Sequence, residues 1–188
     1  MGKQLWKPGN MLYPIPAVLI SVADKDGKPN LFTASWVGTV CSDPPMVSVS
    51  VRPERYSYHM IEETGEFVVN LTTKRLARAA DYCGVRSGRD ENKWEGAGLT
   101  PVKGTKVRAP YVKESPVNIE CKVTNKLALG THDMFIGTVL AVLVDDKYMD
   151  EKNTFHLEQA EPIVYSHGTY HELGAALGKF GFSVKKRG

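Results

Sequence analysis

The segment from Ala17 to Ser35 constrains the fold before anything else is read. Two strand-like runs, Ala17–Ala23 and about Asn30–Ser35, flank the text DKDGK, where Asp26-Gly27 suits a tight turn. Strands joined so closely must be antiparallel, because a parallel return needs a crossover of a dozen or more residues. The same texture recurs along the chain. Met46–Val51, Glu66–Thr72, Val117–Leu129, Met134–Val144 and a short Ile163–Ser166 read as strands. Asp43-Pro44-Pro45 breaks the chain, and Val37–Val40 before it reads as a bend or a short strand. Met134–Val144 is nearly all apolar and is expected to be covered on both faces.

Helical text is scarcer. Arg55–Thr64 fits about two turns, with Gly65 placed to end them. Lys74–Cys83 puts Leu76, Ala79, Ala80 and Cys83 on one face. Gly84–Gly98 is polar, glycine-rich and long for a connection, a kind of loop that is often functional. Many strands, few helices and few βαβ signals predict a mainly β chain: an antiparallel barrel or sandwich with attached helices, in one domain over residues 1–188. No G-x-G-x-x-G opens a helix and no Walker loop occurs, which argues against a Rossmann domain.

The net charge of +3 is spread along the chain with both signs mixed. Its one basic cluster, Lys185-Lys186-Arg187, reads as a solvated tail, so no nucleic-acid partner is expected. The 3 cysteines cannot all pair with one another and show no C-x-x-C spacing. Reduced thiols and a cytoplasmic location are expected. No secretion signal is visible, and no apolar run approaches the ~20 residues of a membrane span.

The stretch VSVSVRPERYSYHM, from Val47 to Met60, carries the strongest chemical signal. Val47, Val49 and Val51 share one strand face, and Ser48, Ser50 and Arg52 share the other. Arg52 is kept extended by Pro53, which then leads into a helix. A helix start offers free N–H groups and a positive dipole end. With Arg52, Arg55 and Ser57 converging there, the corner suits a phosphate. The competing reading is a surface corner with a capping serine and two solvated arginines.

Other candidates depend more on context. In PNLFTASWVG, the small residues Thr33, Ala34 and Ser35 would let backbone approach a flat ligand, with Trp36 as a wall. They could equally form an exposed edge with Trp36 in the core. His132 stands where a loop meets a strand, as a structural or rim residue. Lys93 and Trp94 could reach a ligand from the long loop or be exposed. No H-E-x-x-H or cysteine pair occurs, and Gly168 interrupts any helix between His167 and His171, so no metal site is expected. Cys83 ends a helix rather than starting one, so nothing activates its thiol.

Taken in order, PNLFTASW, CSDPP, SVSVRPERYSYHMI, GEFVVNL, DYCGVRSGRDENKW with GLTPV, GTHDMFIGTV and PIVYSHGTY resemble the flavin-reductase-like, FMN-binding split-barrel family, over roughly Leu12–Gly174. The resemblance implies an antiparallel six-stranded split β-barrel with a few helices, a homodimer, and FMN near the subunit interface. Carried over residue by residue, it places Thr33, Ala34, Ser35 and Trp36 along the isoalloxazine. Ser50, Val51, Arg52, Arg55, Tyr56, Ser57 and Tyr58 would meet the ring edge, ribityl chain and phosphate. Ser87, Gly88 and Lys93 would close over the cofactor, Tyr170 would add a contact, and His132 would be the rim histidine near the nicotinamide position. The expected activity is an NAD(P)H:flavin oxidoreductase. The alternatives are an electron carrier that keeps FMN bound and docks redox proteins, or a split barrel holding haem or a deazaflavin.

Overall fold

A computed structural model of the chain describes residues 2–184. The expected tail cluster Lys185-Lys186-Arg187 lies outside the described residues. In chain order the strands are β1 (Ile15–Pro16), β2 (Val18–Ala23), β3 (Pro29–Ala34), β4 (Val37–Ser42), β5 (Pro45–Val51), β6 (Glu66–Leu71), β7 (Pro101–Val102), β8 (Tyr111–Val112), β9 (Val117–Ala128), β10 (Asp133–Val144), β11 (Ile163–Ser166) and β12 (Thr169–Glu172). The helices are α1 (Tyr56–Thr64), α2 (Ala77–Val85) and α3 (Lys93–Gly96), with a short 3-10 turn at Lys74–Leu76 leading into α2.

Seven strands form the main sheet in the order β3-β2-β6-β9-β10-β5-β4. Every neighbouring pair is antiparallel. The hairpin around Asp26-Gly27 falls as the sequence predicts: Val22 pairs with Asn30 and Ala23 with Pro29. The expected six strands become seven because Val37–Ser42 is a full strand that pairs along β5. Its residues are small or exposed, which hides an edge strand from an apolar-pattern reading. The hydrogen-bonded ladder ends at β3 and β4, so the main sheet does not close into a barrel.

The sheet curls around one core. Val18, Ile20 and Val22 of β2, Val47, Val49 and Val51 of β5, Phe67 of β6, and Tyr58 and Ile61 of α1 pack together. α1 ends where expected, because Gly65 takes the left-handed conformation and its N–H bonds the Ile61 carbonyl. α2 and the turn leading into it bury Leu76, Ala79 and Cys83, as the spacing predicts, against Leu19 and Leu31 on the outer side of β2 and β3, and Ala80 is buried as well.

Two expectations fail here. β10 is not covered on both faces: Leu140, Val142 and Val144 alternate outward and are exposed. A continuous apolar run cannot distinguish burial within a chain from a face left outward. The segment Gly84–Gly98 is also not all loop. Asn92 caps α3 by accepting from the Trp94 N–H at 3.1 Å, and Lys93 and Trp94 are buried.

Polar groups knit the outer layer. Asn70, fully buried on β6, donates to the Leu19 carbonyl (3.0 Å) and the Ser21 hydroxyl (2.9 Å). It accepts from the Val112 N–H (2.9 Å) and Asn118 Nδ2 (2.8 Å). Glu120, also fully buried, accepts from the N–H groups of Thr105 (2.7 Å) and Lys106 (2.6 Å). These bonds hold the segment before β9 against the sheet. They satisfy groups that would otherwise be costly to bury.

Candidate functional site

The end of β3, the end of β5, the start of α1 and the end of α2 meet at two adjoining cavities. The first, of about 280 Å³, is walled by Thr33, Ala34, Ser35, Trp36, Ser50, Val51 and His132. Tyr165 and Tyr170 of the small β1-β11-β12 sheet stand over it. The second, of about 260 Å³, is walled by Tyr56, Ser57, Ser87, Gly88 and Lys93. Phe32, Thr33, Arg52, Arg55 and Gly84 line both, so the two form one elongated cleft. Together they reach the size range of small-molecule sites.

Strand periodicity positions the first cavity. Val49 and Val51 turn into the core, leaving Ser50 and Arg52 for the cleft. The Ser50 N–H bonds the Trp36 carbonyl at 2.9 Å, tying the turn after β3 to β5. Thr33 is fixed from behind, its hydroxyl donating to the Ala80 carbonyl of α2. The rings of Trp36 and His132 lie parallel, 6.1 Å apart between centroids and 3° between planes. Burial, with Asp81 adding to it, raises the Tyr170 phenol above its ordinary range. It therefore remains a hydrogen-bond donor at neutral pH.

Positive charge marks the second cavity. Arg52, Arg55, Arg86, Arg89 and Lys93 line it, against the single carboxylate of Glu54. Glu54 is engaged by Arg52 Nε at 2.9 Å. Arg55, the residue before the first turn of α1, makes no ion pair among the described residues. Arg89 lies 5.8 Å over the Tyr56 ring and donates to the Glu54 carbonyl at 3.3 Å. The buried Ser57 hydroxyl accepts from Asn30 Nδ2 at 2.7 Å and stays free to donate its own proton. Gly88 closes this end by proximity. A Cβ there would fall 2.3 Å from Asn30 Oδ1 and 2.9 Å from Tyr56 Cδ1.

The structure brings together the residues singled out for the ligand except Trp94, which is buried in the core beside α2, and Tyr58. Tyr58 lies two positions beyond Tyr56, about 200° around the helix, and points into the core. Its hydroxyl donates to Asp133 at 2.5 Å and its ring meets Phe135 edge-on at 5.4 Å. Residues not singled out also line the cleft: Phe32 along both cavities, Asp81 and Tyr165 at one end, Asn30, Arg86 and Arg89 at the other. The two arginines flank Ser87-Gly88 in the loop text, where charge reads as solvation. Cys83 stands at the wall with its thiol pushed up to about 11 by burial, consistent with an unactivated cysteine. All three cysteines are free. No metal-holding group of side chains occurs among the described residues, and no helix among them is long and apolar enough to cross a membrane.

The mainly antiparallel sheet thus carries one cleft with an aromatic, small-residue wall at one end and a cationic wall at the other. Comparison with known proteins gives the family. The flavin reductase like domain family matches residues 11–174, and the chain belongs to it. An uncharacterized protein of Archaeoglobus fulgidus is 38% identical over 141 residues, covering 75% of this chain and 78% of that one. The NADH:riboflavin 5'-phosphate oxidoreductase of Streptomyces pristinaespiralis is 24% identical, over 78% of this chain and 80% of its own. Flavoredoxin of Desulfovibrio vulgaris (Miyazaki F) superimposes with a TM-score of 0.90 at 35% identity, over 98% of this chain and 100% of that one.

Proposed function

We propose that the cleft holds FMN and that the protein is a flavin-dependent oxidoreductase that takes electrons from NAD(P)H. The observation that carries this reading is the division of one cleft into an aromatic, small-residue end and a cationic end. In this assignment Thr33, Ala34, Ser35 and Trp36 border the ring system. Arg52, Arg55 and Ser57 hold the phosphate, with Ser87, Gly88 and Lys93 behind it. A flavin bound there supplies the redox chemistry, taking up a hydride and passing on electrons singly or in pairs. The chain's own task is then to bind, orient and leave one approach open.

His132 and Trp36 stand at that approach. A histidine stacked on the wall can position a nicotinamide by a hydrogen bond without changing its own proton count. His132→Ala should slow flavin reduction by NAD(P)H about tenfold to a hundredfold, since small misplacements carry such penalties. FMN affinity and melting temperature should stay unchanged. A stopped-flow reduction trace, an FMN titration and a melting curve on this one variant separate catalytic, binding and structural roles.

The similarity to flavoredoxin supports a second reading, in which FMN stays bound and a redox protein is the partner. Anaerobic addition of NADH or NADPH to the yellow protein separates the two. Rapid bleaching supports the oxidoreductase, and bleaching only after a reduced protein partner is added supports the carrier.

We also propose a homodimer. β10 carries an outward row of exposed apolar residues, Leu140, Val142 and Val144, while Leu127 of β9 and Leu129 just after it are exposed at the other end of the same strand pair. Apolar patches of this kind commonly mark protein contacts. Light scattering at micromolar concentration should give twice the chain mass, and a monomer with FMN bound would contradict this.

A further inference from the structure

Among the described residues Lys93 is the only buried lysine, 3% exposed. Its place follows from α3, where Asn92 starts a single turn and Trp94 anchors it in the core beside α2. The ammonium donates to the Cys83 carbonyl at 3.0 Å, in the last turn of α2, where carbonyls lack helical partners. No carboxylate lies within ion-pair distance of it among the described residues.

The groups that face Lys93 do not neutralise it. From the corner before α1 come Arg52, Arg55, Tyr56 and Glu54, and Glu54 is already paired with Arg52. From α2 and the loop after it come Cys83, Arg86 and Arg89. Glu91, reached through a neighbouring cavity with Lys28 and Asp90, is held by Arg86 at 3.5 Å and by the Tyr82 hydroxyl. A buried ammonium among arginines is costly, and an anion in the cavity removes that cost.

We propose that Lys93 makes ligand binding in this cleft proton-coupled: the phosphate that fills the cationic cavity draws one proton from solvent onto the Lys93 amine. The proposal rests on the FMN reading and deepens it. Burial first, with Arg55 adding to it, lowers the lysine to about 8, while Cys83 and Glu91 oppose the shift. Above that pH the free protein holds Lys93 neutral, and the phosphate-bound form holds it charged. A phosphate monoester loses its second proton near pH ~6, so at pH 9 the ligand has none to give. Net proton uptake should therefore be near zero at pH 7, where the ~0.1 proton still on the phosphate is released as the amine takes up ~0.1, and about 0.9 per FMN at pH 9. The dissociation constant should rise about tenfold per pH unit above 8.

Isothermal titration of FMN into the full-length, flavin-free protein, in buffers of different ionisation enthalpy, reads this directly. Wild type should show the two uptakes above. Lys93→Met and, with wild type, riboflavin should show almost none at pH 9. FMN binding at pH 9 without buffer-dependent heat overturns the proposal, as does uptake retained by Lys93→Met. If that variant does not fold, the comparison of FMN with riboflavin on wild type decides alone, and equal uptake for both overturns it. FMN that fails to bind at pH 7 overturns the flavin reading, and the proposal falls with it.

Discussion

Arg55→Ala is expected to weaken FMN binding about tenfold to a hundredfold, more than any other arginine substitution in the cleft. Hydrogen bonds to charged groups contribute roughly 1.5–3 kcal/mol. Arg55 lines both cavities and has no carboxylate partner among the described residues, so its charge is free for a ligand. Arg52 lines both as well, but Glu54 already occupies it at 2.9 Å. Arg52→Ala should cost only about threefold to tenfold, since an exposed ion pair is a weak but real competitor. Lys103→Ala, at an exposed residue outside both cavities, should cost nothing. Quenching of flavin fluorescence gives all three constants. An unchanged Arg55→Ala would make the corner an ordinary solvated surface.

Asn70→Leu should destabilise the fold by about 3 kcal/mol, from lost hydrogen bonds and an orphaned donor. The change keeps the volume but leaves the buried Val112 N–H without its acceptor. It also removes the side-chain bridge between β2, β6 and β9. In a chain of this size such a loss lowers the melting temperature by about 6–12 °C. Exposed Glu151→Ala provides the contrast and should change it by about 1–2 °C at most, as surface substitutions usually do. Equal melting temperatures for wild type and Asn70→Leu would show that the network adds little to stability.

Most of the scaffold was legible, for reasons that differ by element. α1 is bracketed by Pro53 and Gly65, which act locally, so its limits could be placed without knowing the fold. The β2–β3 hairpin is set by its turn, and the buried face of α2 by spacing. The failures share a cause, which is that context decides what a local pattern becomes. β4 carries Gly38, Thr39 and Cys41, and it is a strand because β5 offers a ladder. α3 is a single turn whose start depends on one asparagine side chain.

The site divides the same way. Ser50, Arg52 and Arg55 could be placed because strand alternation and a helix start fix their directions. Tyr58 was misplaced because motif order ignores rotation around α1. Arg86 and Arg89 face the cavity only because α2 and its following loop fold over the corner. Asp81 and Tyr165 arrive from elements far apart in sequence.

The most direct test of the central claim compares FMN with riboflavin on the wild-type protein at pH 7. The two share the ring and ribityl chain and differ only in the phosphate. If the cationic cavity receives that phosphate, FMN should bind at least about tenfold more tightly, given the strength of charged hydrogen bonds. Equal dissociation constants for the two flavins would contradict the account.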